Sequence, residues 1–364
     1  MPDRPLGLPV GEATGILSAL AASGTLTELY GKEPTGRLDP LLLRRILTEA
    51  DAQSPAGTVL ALLVQLASAT PLLTEMADSP AAARTLRAAL EGAGLLALAA
   101  TDTAAPGSDL AALGTTVDLS GSDGDDGDIV LDGGKRWVTS ALTAGHALVL
   151  ARHRPGRHFT SFTWVLVPLT APGVTAEAAD TGLFDGAGLG HLHFHSVRLP
   201  REHVLGRPGR GLALFARHLS VERLASAAWA VALCRRAVAD TARRLAARPV
   251  DGAPLRRSSS VRQRLADCAV RLSALDALWT QSADRIARHH DATAAATLKA
   301  LSGMTVEHVL AECGHLQGAD GFERGGVQRL RAEAAVFGIG GGATEVVLDT
   351  VAERLDQVLD GLTP

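Results

Sequence analysis

The sequence predicts an α+β fold in which a helical segment, a strand-rich segment and a second helical segment follow one another along 364 residues. Three observations predict this order. Apolar residues recur at helical spacing from Gly11 to about residue 96. Strand-like alternation, punctuated by glycine and proline, takes over from about residue 98 to Pro208, and helical spacing returns after Gly211. We therefore expect three domains, at residues 1–98, 99–210 and 211–364.

The first segment carries two helical patterns. Leu41, Leu42 and Ile46 begin an amphipathic stretch, and residues 59–66 are almost continuously apolar. Such a run is typical of a helix that is buried on all sides. Proline breaks the pattern at Pro55.

The middle segment contains three short alternating runs, at residues 129–131, 162–166 and 192–194. Their alternation and their β-branched and aromatic content predict strands. The Gly- and Asp-rich tract at residues 120–128 predicts a solvated turn. It resembles a calcium loop, but it lacks the glutamate that closes such loops.

Three histidines also alternate in this segment. His191, His193 and His195 would share one face of a strand, as zinc ligands could. An ordinary strand of the middle domain explains them equally, and we expect no metal.

The last segment predicts a helical bundle. Apolar residues step by three and four after Leu224 and again after Val261, and two further helices are expected at about residues 295–316 and 344–359. Four amphipathic helices with short connections favour a bundle.

Composition and charge exclude several classes of partner. Lys and Arg number 35 against 39 Asp and Glu, which gives a net charge of -4 and argues against nucleic acid and anionic membranes. The beginning of the chain shows no basic-then-apolar signal, and we expect no run long enough to span a membrane. Cys234, Cys268 and Cys313 lie far apart in apolar helical patterns, which predicts reduced core thiols. We expect a cytoplasmic protein.

Five segments occur in an order that is characteristic of one family. They are Gly-Ser-Asp at 107–109, Lys-Arg-Trp-Val-Thr-Ser at 135–140, Phe-His-Ser-Val-Arg-Leu-Pro at 194–200, Glu-Arg at 222–223, and Gly-Ala-Asp-Gly-Phe at 318–322 followed by Gly-Gly-Gly-Ala-Thr-Glu at 340–345. Together they resemble the acyl-CoA dehydrogenase family over residues 24–355. The resemblance implies an N-terminal helical domain, a middle β-barrel-like domain and a C-terminal four-helix bundle.

The resemblance also implies a reaction. In this family a carboxylate removes the α proton of an acyl thioester while hydride leaves the β carbon for FAD. Most members keep this carboxylate just before a Gly-Thr pair, where this chain has Gly341. A minority keep it in the Glu-Arg of the helix that opens the C-terminal domain, where this chain has Glu222. We therefore expect Glu222 to be the catalytic base and Gly341 to lie at the substrate. The alternative is that Glu222 belongs to a surface charge pair.

Two places in the middle segment are expected to meet the flavin. Trp137 and Thr139 are two residues apart on a predicted strand and would therefore share one face. The resemblance implies that this face meets FAD, and that Thr101 and Ser108 contact FAD from a neighbouring loop, with Ser108 also at the substrate. The alternative for Trp137 is that it is a core aromatic residue.

Four further positions in the last segment are implied as FAD contacts by the resemblance. Arg248 would reach the pyrophosphate of a neighbouring subunit's flavin, and Gly318 would lie near it. Thr344 and Glu345 would begin a helix whose N-terminus can receive a phosphate.

The chain also departs from the family pattern at several positions. Asp251, Ser259, His315, Ala332-Glu333 and Ala343 stand where Phe, Gln, Gln, Arg-Asp and Thr are usual. Each lost polar contact costs on the order of 1 kcal/mol. The departures predict weaker FAD binding and a specialised member of the family.

The sequence therefore predicts an FAD-dependent dehydrogenase that acts on an acyl thioester of coenzyme A or of an acyl carrier protein, in specialised biosynthesis. The resemblance implies a homodimer or homotetramer, with an electron-transfer flavoprotein as a potential electron acceptor. Two alternatives stay open. One is a flavin-dependent monooxygenase or oxidase on the same fold, and the other is a non-catalytic, flavin-poor binding or assembly protein.

Overall fold

The computed structural model describes residues 5–107, 109–122 and 127–361. Its first part is helical, as predicted. The elements are α1 (Ala13–Ala22), α2 (Thr25–Tyr30), α3 (Pro40–Gln53), α4 (Ala56–Val64), a π-helix (Gln65–Ala69), α5 (Thr70–Glu75) and α6 (Pro80–Leu90). Asp39 caps α3 by accepting hydrogen bonds from the backbone N–H groups of Leu41 and Leu42, and Pro40 occupies the first helical position. This combination of an acidic N-cap and proline sets where α3 begins.

α4, the π-helix and α5 form one continuous apolar run, Ala56–Glu75. The expectation that no run reaches membrane-spanning length was wrong, since this one has 20 residues and its most apolar 18-residue window has a mean hydropathy of 1.7. However, 83% of its most apolar window is buried inside the protein. The protein itself therefore surrounds this helical run, which the almost continuously apolar residues 59–66 had predicted.

The middle part contains the strands β1 (Leu96–Ala99), β2 (Thr116–Asp118), β3 (Asp128–Val138), β4 (His146–Arg152), β5 (Phe162–Pro168), β6 (Val174–Ala178), β7 (Gly190–Pro200) and β8 (Val204–Leu205). They form one sheet in the order β6-β7-β3-β2-β4-β5-β8, and β1 pairs in parallel with β4. The three predicted strands lie inside β3, β5 and β7. The turn tract at residues 120–128 lies partly outside the described residues.

The last part is again helical. Its elements are α7 (Gly211–Ala247), a small hairpin of β9 (Pro249–Val250) and β10 (Ala253–Pro254), α8 (Ser259–His289), α9 (Ala292–Gln317), α10 (Val327–Ala334), α11 (Thr344–Ala352) and α12 (Leu355–Asp360). The prediction of one helix at residues 344–359 was wrong. Arg354 leaves helical geometry, with φ -120° and ψ 26°, and its guanidinium donates to Thr293 Oγ1 on α9 at 2.9 Å. This contact favours a break between α11 and α12.

The largest apolar cluster is shared by the first and last parts of the chain, because α3, α4 and the π-helix pack against α7. Two buried tryptophans in this core place their indole N–H groups on partners. Trp229 Nε1 donates to Asp51 Oδ1 at 3.0 Å, and Trp279 Nε1 donates to the Leu224 carbonyl at 3.0 Å. Buried indoles need such partners. The shared core holds the π-helix against the first half of α7, where Glu222 lies.

The cysteine prediction is confirmed, since Cys234, Cys268 and Cys313 are free and buried. Within the described ranges no group of three or more His, Cys, Asp or Glu residues is arranged to hold a metal ion. His193 lies on β7 beside Glu177, with 3.5 Å between Nε2 and Oε2.

Candidate active site

Glu222 lies on α7 and faces the π-helix. The hydroxyl of Ser68 donates to Glu222 Oε2 at 2.9 Å, and Ser68 itself is only 3% exposed. A π-turn inserts a residue into a helix and is frequent at functional sites. Glu222 as a whole is half-buried, and the Ser68 hydroxyl holds its carboxylate from the side of the π-helix.

The glycine loop at residues 338–342 closes another side of Glu222. Gly341 has φ +73°, and a Cβ placed on it would lie 3.5 Å from Glu222 Oε1. Arg223 Nε donates to the Gly341 carbonyl at 2.9 Å, which ties the loop to α7. Glu222 and Gly341, which the sequence motifs single out, thus lie against each other, with the glutamate on the helix and the glycine on the loop. The alternative of an exposed surface charge pair does not describe this arrangement.

The surroundings of Glu222 shift its pKa in opposite directions. Burial raises the pKa of Glu222, while the Ser68 hydrogen bond and the charges of Arg223 and Lys299 act to lower it. Desolvation disfavours the charged carboxylate, and nearby cations and donors favour it. The net direction is upward, as a general base that works near neutral pH requires.

Lys299 is the second cation at this site, besides Arg223. It lies on α9, is fully buried, and its ammonium donates to the Phe337 carbonyl at the start of the glycine loop. Burial lowers the pKa of Lys299 to about 8. Sequence reasoning missed both Ser68 and Lys299. Two signals in the sequence could have found them. Ser68 is a serine inside the long apolar run, and Lys299, one of only three lysines in the chain, lies within an apolar helical pattern.

Trp137 stands open at the edge of the sheet. Its side chain is 55% exposed, so the alternative of a core aromatic was wrong. Its backbone is left-handed, with φ +55°, at an irregularity in the pairing of β3 with β7. The backbone N–H of Trp137 donates to His191 Nδ1 at 3.2 Å, and the two rings meet edge to face with centroids 5.2 Å apart. The expectation that Thr139 continues the strand was wrong, because β3 ends at Val138 and the left-handed residue interrupts the alternation.

The Thr101 loop lies against the same strand. Asp102 and Lys135 form a bridge between the loop and β3, and the backbone N–H of Arg136 donates to the Thr101 carbonyl at 3.2 Å. Thr101 therefore lies beside the residue that precedes Trp137. Ser108 lies outside the described residues.

The remaining predicted residues form two groups in the last part of the chain. A Cβ on Gly318 would be 4.0 Å from an Arg248 guanidinium nitrogen, so these two residues lie together. Thr344 begins α11, and its hydroxyl donates to the Gly338 carbonyl at 3.3 Å. Glu345 lies in the first turn of α11. Thr344 and Glu345 thus begin the helix that follows the glycine loop, as predicted.

A cavity of about 1270 Å³ lies elsewhere, between the α3–α4 junction, the second half of α7 and residues 317–333. Neither Glu222 nor Gly341 lines it. Its arginines are largely engaged, as with Arg236 and Asp51, which pair at 2.8 Å, and Arg329 and Asp185, which pair at 2.8 Å. The chemistry of the chain is therefore assigned from the contacts of Glu222 and not from the size of a cavity.

The helix–sheet–helix architecture holds a carboxylate against a glycine loop, the arrangement that the sequence motifs predict for an oxidoreductase that acts on CH–CH bonds. Residues 97–197 match the family model of the acyl-CoA dehydrogenase middle domain, and residues 209–356 match that of the acyl-CoA dehydrogenase C-terminal domain. The chain belongs to the acyl-CoA dehydrogenase family.

Individual relatives extend the comparison. The chain is 28% identical over 303 residues to the acyl-[acyl-carrier-protein] dehydrogenase MbtN of Mycobacterium sp. (strain MCS), covering 81% of this chain and 74% of the relative. The fold is similar to that of butyryl-CoA dehydrogenase from Megasphaera elsdenii, with TM-score 0.85, 23% identity and coverage of 94% and 89% of the two chains. It is also similar to that of PigA with FAD and proline, with TM-score 0.85, 20% identity and coverage of 94% and 89%. These structural likenesses show the three-part fold.

Proposed function

We propose that this chain is an FAD-dependent dehydrogenase that introduces an α,β double bond into an acyl thioester, with Glu222 as the base. The observation that carries the proposal is the contact between Glu222 and Gly341, where a Cβ would lie 3.5 Å from Oε1. One carboxylate, raised in pKa by burial, faces the loop where the sequence resemblance places the carboxylate of most family members.

The residues around Trp137 fit a flavin. A tryptophan with left-handed backbone is strained by about 1–2 kcal/mol. Trp137 is nevertheless 55% exposed, and its ring packs edge to face with that of His191. Strain kept at an open aromatic face is typical of a binding surface. The Thr101 loop beside it and Thr139 would hold the ring system, while Arg248 and Gly318 would hold phosphate. Bound FAD would supply the acceptor for the hydride that leaves the β carbon.

The chain's own residues account for the proton transfer. Ser68 donates to Oε2 of Glu222 and fixes the plane of the carboxylate, so Oε1 is the atom that faces Gly341 and can take the α proton. The absence of a side chain at Gly341 leaves room for the thioester beside Oε1. A well-placed general base contributes about 10²- to 10⁴-fold in rate. Glu222 holds the proton readily because burial favours its neutral form.

The carrier of the acyl group is part of the proposal. MbtN, whose match covers 81% of this chain, is named for action on an acyl carrier protein. Together with the departures in the flavin motifs, this relative favours an acyl carrier protein over coenzyme A and a role in specialised biosynthesis. A cytoplasmic location, a homodimer or homotetramer and an electron-transfer flavoprotein as acceptor complete the proposal. The exposed Arg248 beside Gly318 supports contact with a neighbouring subunit's flavin.

The test is anaerobic reduction of the flavin. The purified holoprotein is mixed with acyl-CoA or acyl carrier protein thioesters, and loss of the visible flavin absorbance is followed for the wild type, Glu222→Gln and Glu307→Gln. Glu307 is an exposed glutamate on α9 and serves as the control. We expect bleaching by the wild type and by Glu307→Gln, and a loss of at least about 10²-fold in rate for Glu222→Gln.

The other outcomes separate the alternatives. Equal bleaching rates for Glu222→Gln and the wild type would remove Glu222 as the base. A bound flavin that no acyl thioester bleaches would favour a monooxygenase or oxidase. Protein that retains no flavin after addition of excess FAD and gel filtration would favour the non-catalytic alternative.

A further inference from the structure

We infer that Lys299 is a positioning residue for the reaction: it ties the glycine loop to α9 and places a fixed positive charge beside Glu222. The inference rests on the proposed function, in which Glu222 is the base. It is carried by the burial of Lys299, by its contact with the loop, and by the lack, among the residues that the structure describes, of an ion pair for its charge.

The tether is a buried hydrogen bond. The Lys299 ammonium donates to the carbonyl of Phe337, whose ring is 1% exposed and packs on Trp229 with centroids 4.8 Å apart. A Cβ on Gly341 would lie 3.5 Å from Lys299 Cε. The lysine stem therefore supports the loop that forms one wall at Glu222, and the loop is fixed both by Lys299 and by Arg223.

The charge of Lys299 is not used to balance a carboxylate in direct contact. Within the part of the chain that the structure describes, no carboxylate oxygen lies within 4.0 Å of its ammonium, although the side chain is fully buried. The other fully buried lysine differs, because Lys135 pairs with Asp102 at 3.3 Å. Burying a cation is costly unless it is compensated. The carboxylate that interacts with the Lys299 charge is Glu222.

Few groups share this role around Glu222. Arg223 is the cation on the same helix, and its Nε is committed to the Gly341 carbonyl. Ser68 is a neutral donor on the π-helix. His218, one turn earlier on α7, is engaged with Glu75, with 2.7 Å between Nε2 and Oε2. Lys299 is therefore the charge that reaches Glu222 from α9, and the glycine loop itself carries none.

Removal of the Lys299 charge should change the pH profile of the reaction, which removal of a purely structural lysine would not do. The Lys299 ammonium favours the ionised carboxylate, so its loss raises the pKa of Glu222 further. The acidic limb of the pH profile of kcat/KM should then move to higher pH by about 1 unit. Loss of the tether should lower kcat at the pH optimum, because the wall at Gly341 is no longer fixed.

The experiment compares two variants of Lys299. Lys299→Met removes both the charge and the hydrogen bond to the Phe337 carbonyl, whereas Lys299→Gln keeps a hydrogen-bond donor but not the charge. Lys135→Met is the control for the loss of a buried lysine. Rates are expressed per bound flavin, and melting curves report folding. We expect both Lys299 variants to shift the acidic limb upward and Lys135→Met to leave it in place. If Lys299→Met does not fold, the shift in Lys299→Gln decides.

Two different results would overturn the role of Lys299 and the proposed function separately. An unshifted acidic limb in the Lys299 variants, with Glu222→Gln inactive, would overturn the role of Lys299 alone. Full activity of Glu222→Gln would overturn the proposed function, whatever the Lys299 variants do.

Discussion

Gly341 and Glu222 lie against each other, with 3.5 Å between Glu222 Oε1 and the position that a Cβ on Gly341 would occupy. The two residues are far apart in sequence, and packing of the C-terminal loop on α7 brings them together. Because the carboxylate extends from α7 toward the loop, a side chain larger than that of alanine at residue 341 would compete with it for space. The left-handed backbone of Gly341, with φ +73°, also favours glycine there.

The first prediction concerns Gly341→Ala. Its Cβ would meet Glu222, Arg223 and Lys299 at 3.5–3.7 Å, which is ordinary contact but occupies the space we assign to the thioester. We expect a loss of stability of about 1 kcal/mol from the left-handed backbone and a fall in kcat of at least about tenfold from crowding at the base. Melting curves and steady-state rates per bound flavin measure the two effects.

Gly325 provides a matched control for that substitution. It has the same φ of +73°, but a Cβ there would meet nothing within 4 Å. Gly325→Ala should therefore lose similar stability and keep its rate. Equal rates for the two variants would contradict a substrate position at Gly341.

The pH dependence of the wild type follows from the raised pKa of Glu222. The base acts only when ionised, so kcat/KM should fall as pH decreases through the raised pKa. The midpoint should lie above the usual range of glutamate, about 4.3, because burial dominates over the Ser68 hydrogen bond and the neighbouring charges. A profile of kcat/KM against pH measures it, and a midpoint at the ordinary value would show that the base is solvated.

Ser68→Ala tests the hydrogen bond that holds the carboxylate. The hydroxyl stabilises the ionised form, so its removal should raise the pKa of Glu222 and move the acidic limb upward. Ser282→Ala is the control, since Ser282 is also a 3%-exposed helical serine, but its hydroxyl donates to the Leu278 carbonyl within α8. A shift of the same size in both variants would mean that the effect does not come from the contact with Glu222.

The fold could be predicted from periodicity because each segment repeats its pattern over many residues. The strands in β3, β5 and β7 and the buried run at residues 59–66 are all confirmed. The break between α11 and α12 could not be predicted, since it depends on the contact of Arg354 with Thr293 on another helix. The domain boundaries remain a proposal, and the shared core of α3 and α7 shows that the helical parts are not independent in packing.

The site could be predicted only where the family motif names a residue. Glu222 and Gly341 were expected to matter, and the structure places them together. Ser68 could not be found, because its importance comes from a π-turn that directs it at Glu222. The prediction that Trp137 and Thr139 share one face of a strand was wrong for a local reason, because the left-handed backbone of Trp137 itself interrupts the strand.

Trp137→Ala should weaken FAD binding without unfolding the protein. The indole is 55% exposed, so its removal costs little core packing. A lost aromatic contact of about 1 kcal/mol corresponds to about a fivefold loss of affinity. Phe159→Ala is the control, because Phe159 is a 58%-exposed aromatic that also packs beside a histidine. Titration of flavin-free protein with FAD measures both, and an unchanged Kd in Trp137→Ala would remove Trp137 from the flavin site.

The last prediction concerns the buried pair that holds the Thr101 loop on β3. Asp102 is 2% exposed and accepts from the Thr115 hydroxyl at 2.6 Å, and Lys135 is fully buried beside it. Burial acts to raise the pKa of Asp102, but the Thr115 hydrogen bond and the Lys135 charge outweigh it and lower the pKa to about 2. Asp102→Ala leaves the ammonium without its carboxylate, and we expect a loss of about 3 kcal/mol.

The pH dependence of the stability lost in Asp102→Ala shows whether the ion pair or packing accounts for it. A carboxylate whose pKa is lowered by folding stabilises the protein above its unfolded pKa, and this contribution disappears as pH falls through about 2. The difference in urea midpoint between wild type and Asp102→Ala should therefore be largest near neutral pH and shrink in acid. Asp284→Ala, which breaks the exposed pair with Arg288, should leave the midpoint unchanged at every pH. A difference for Asp102→Ala that stays constant with pH would mean that lost packing, and not the ion pair, accounts for the destabilisation.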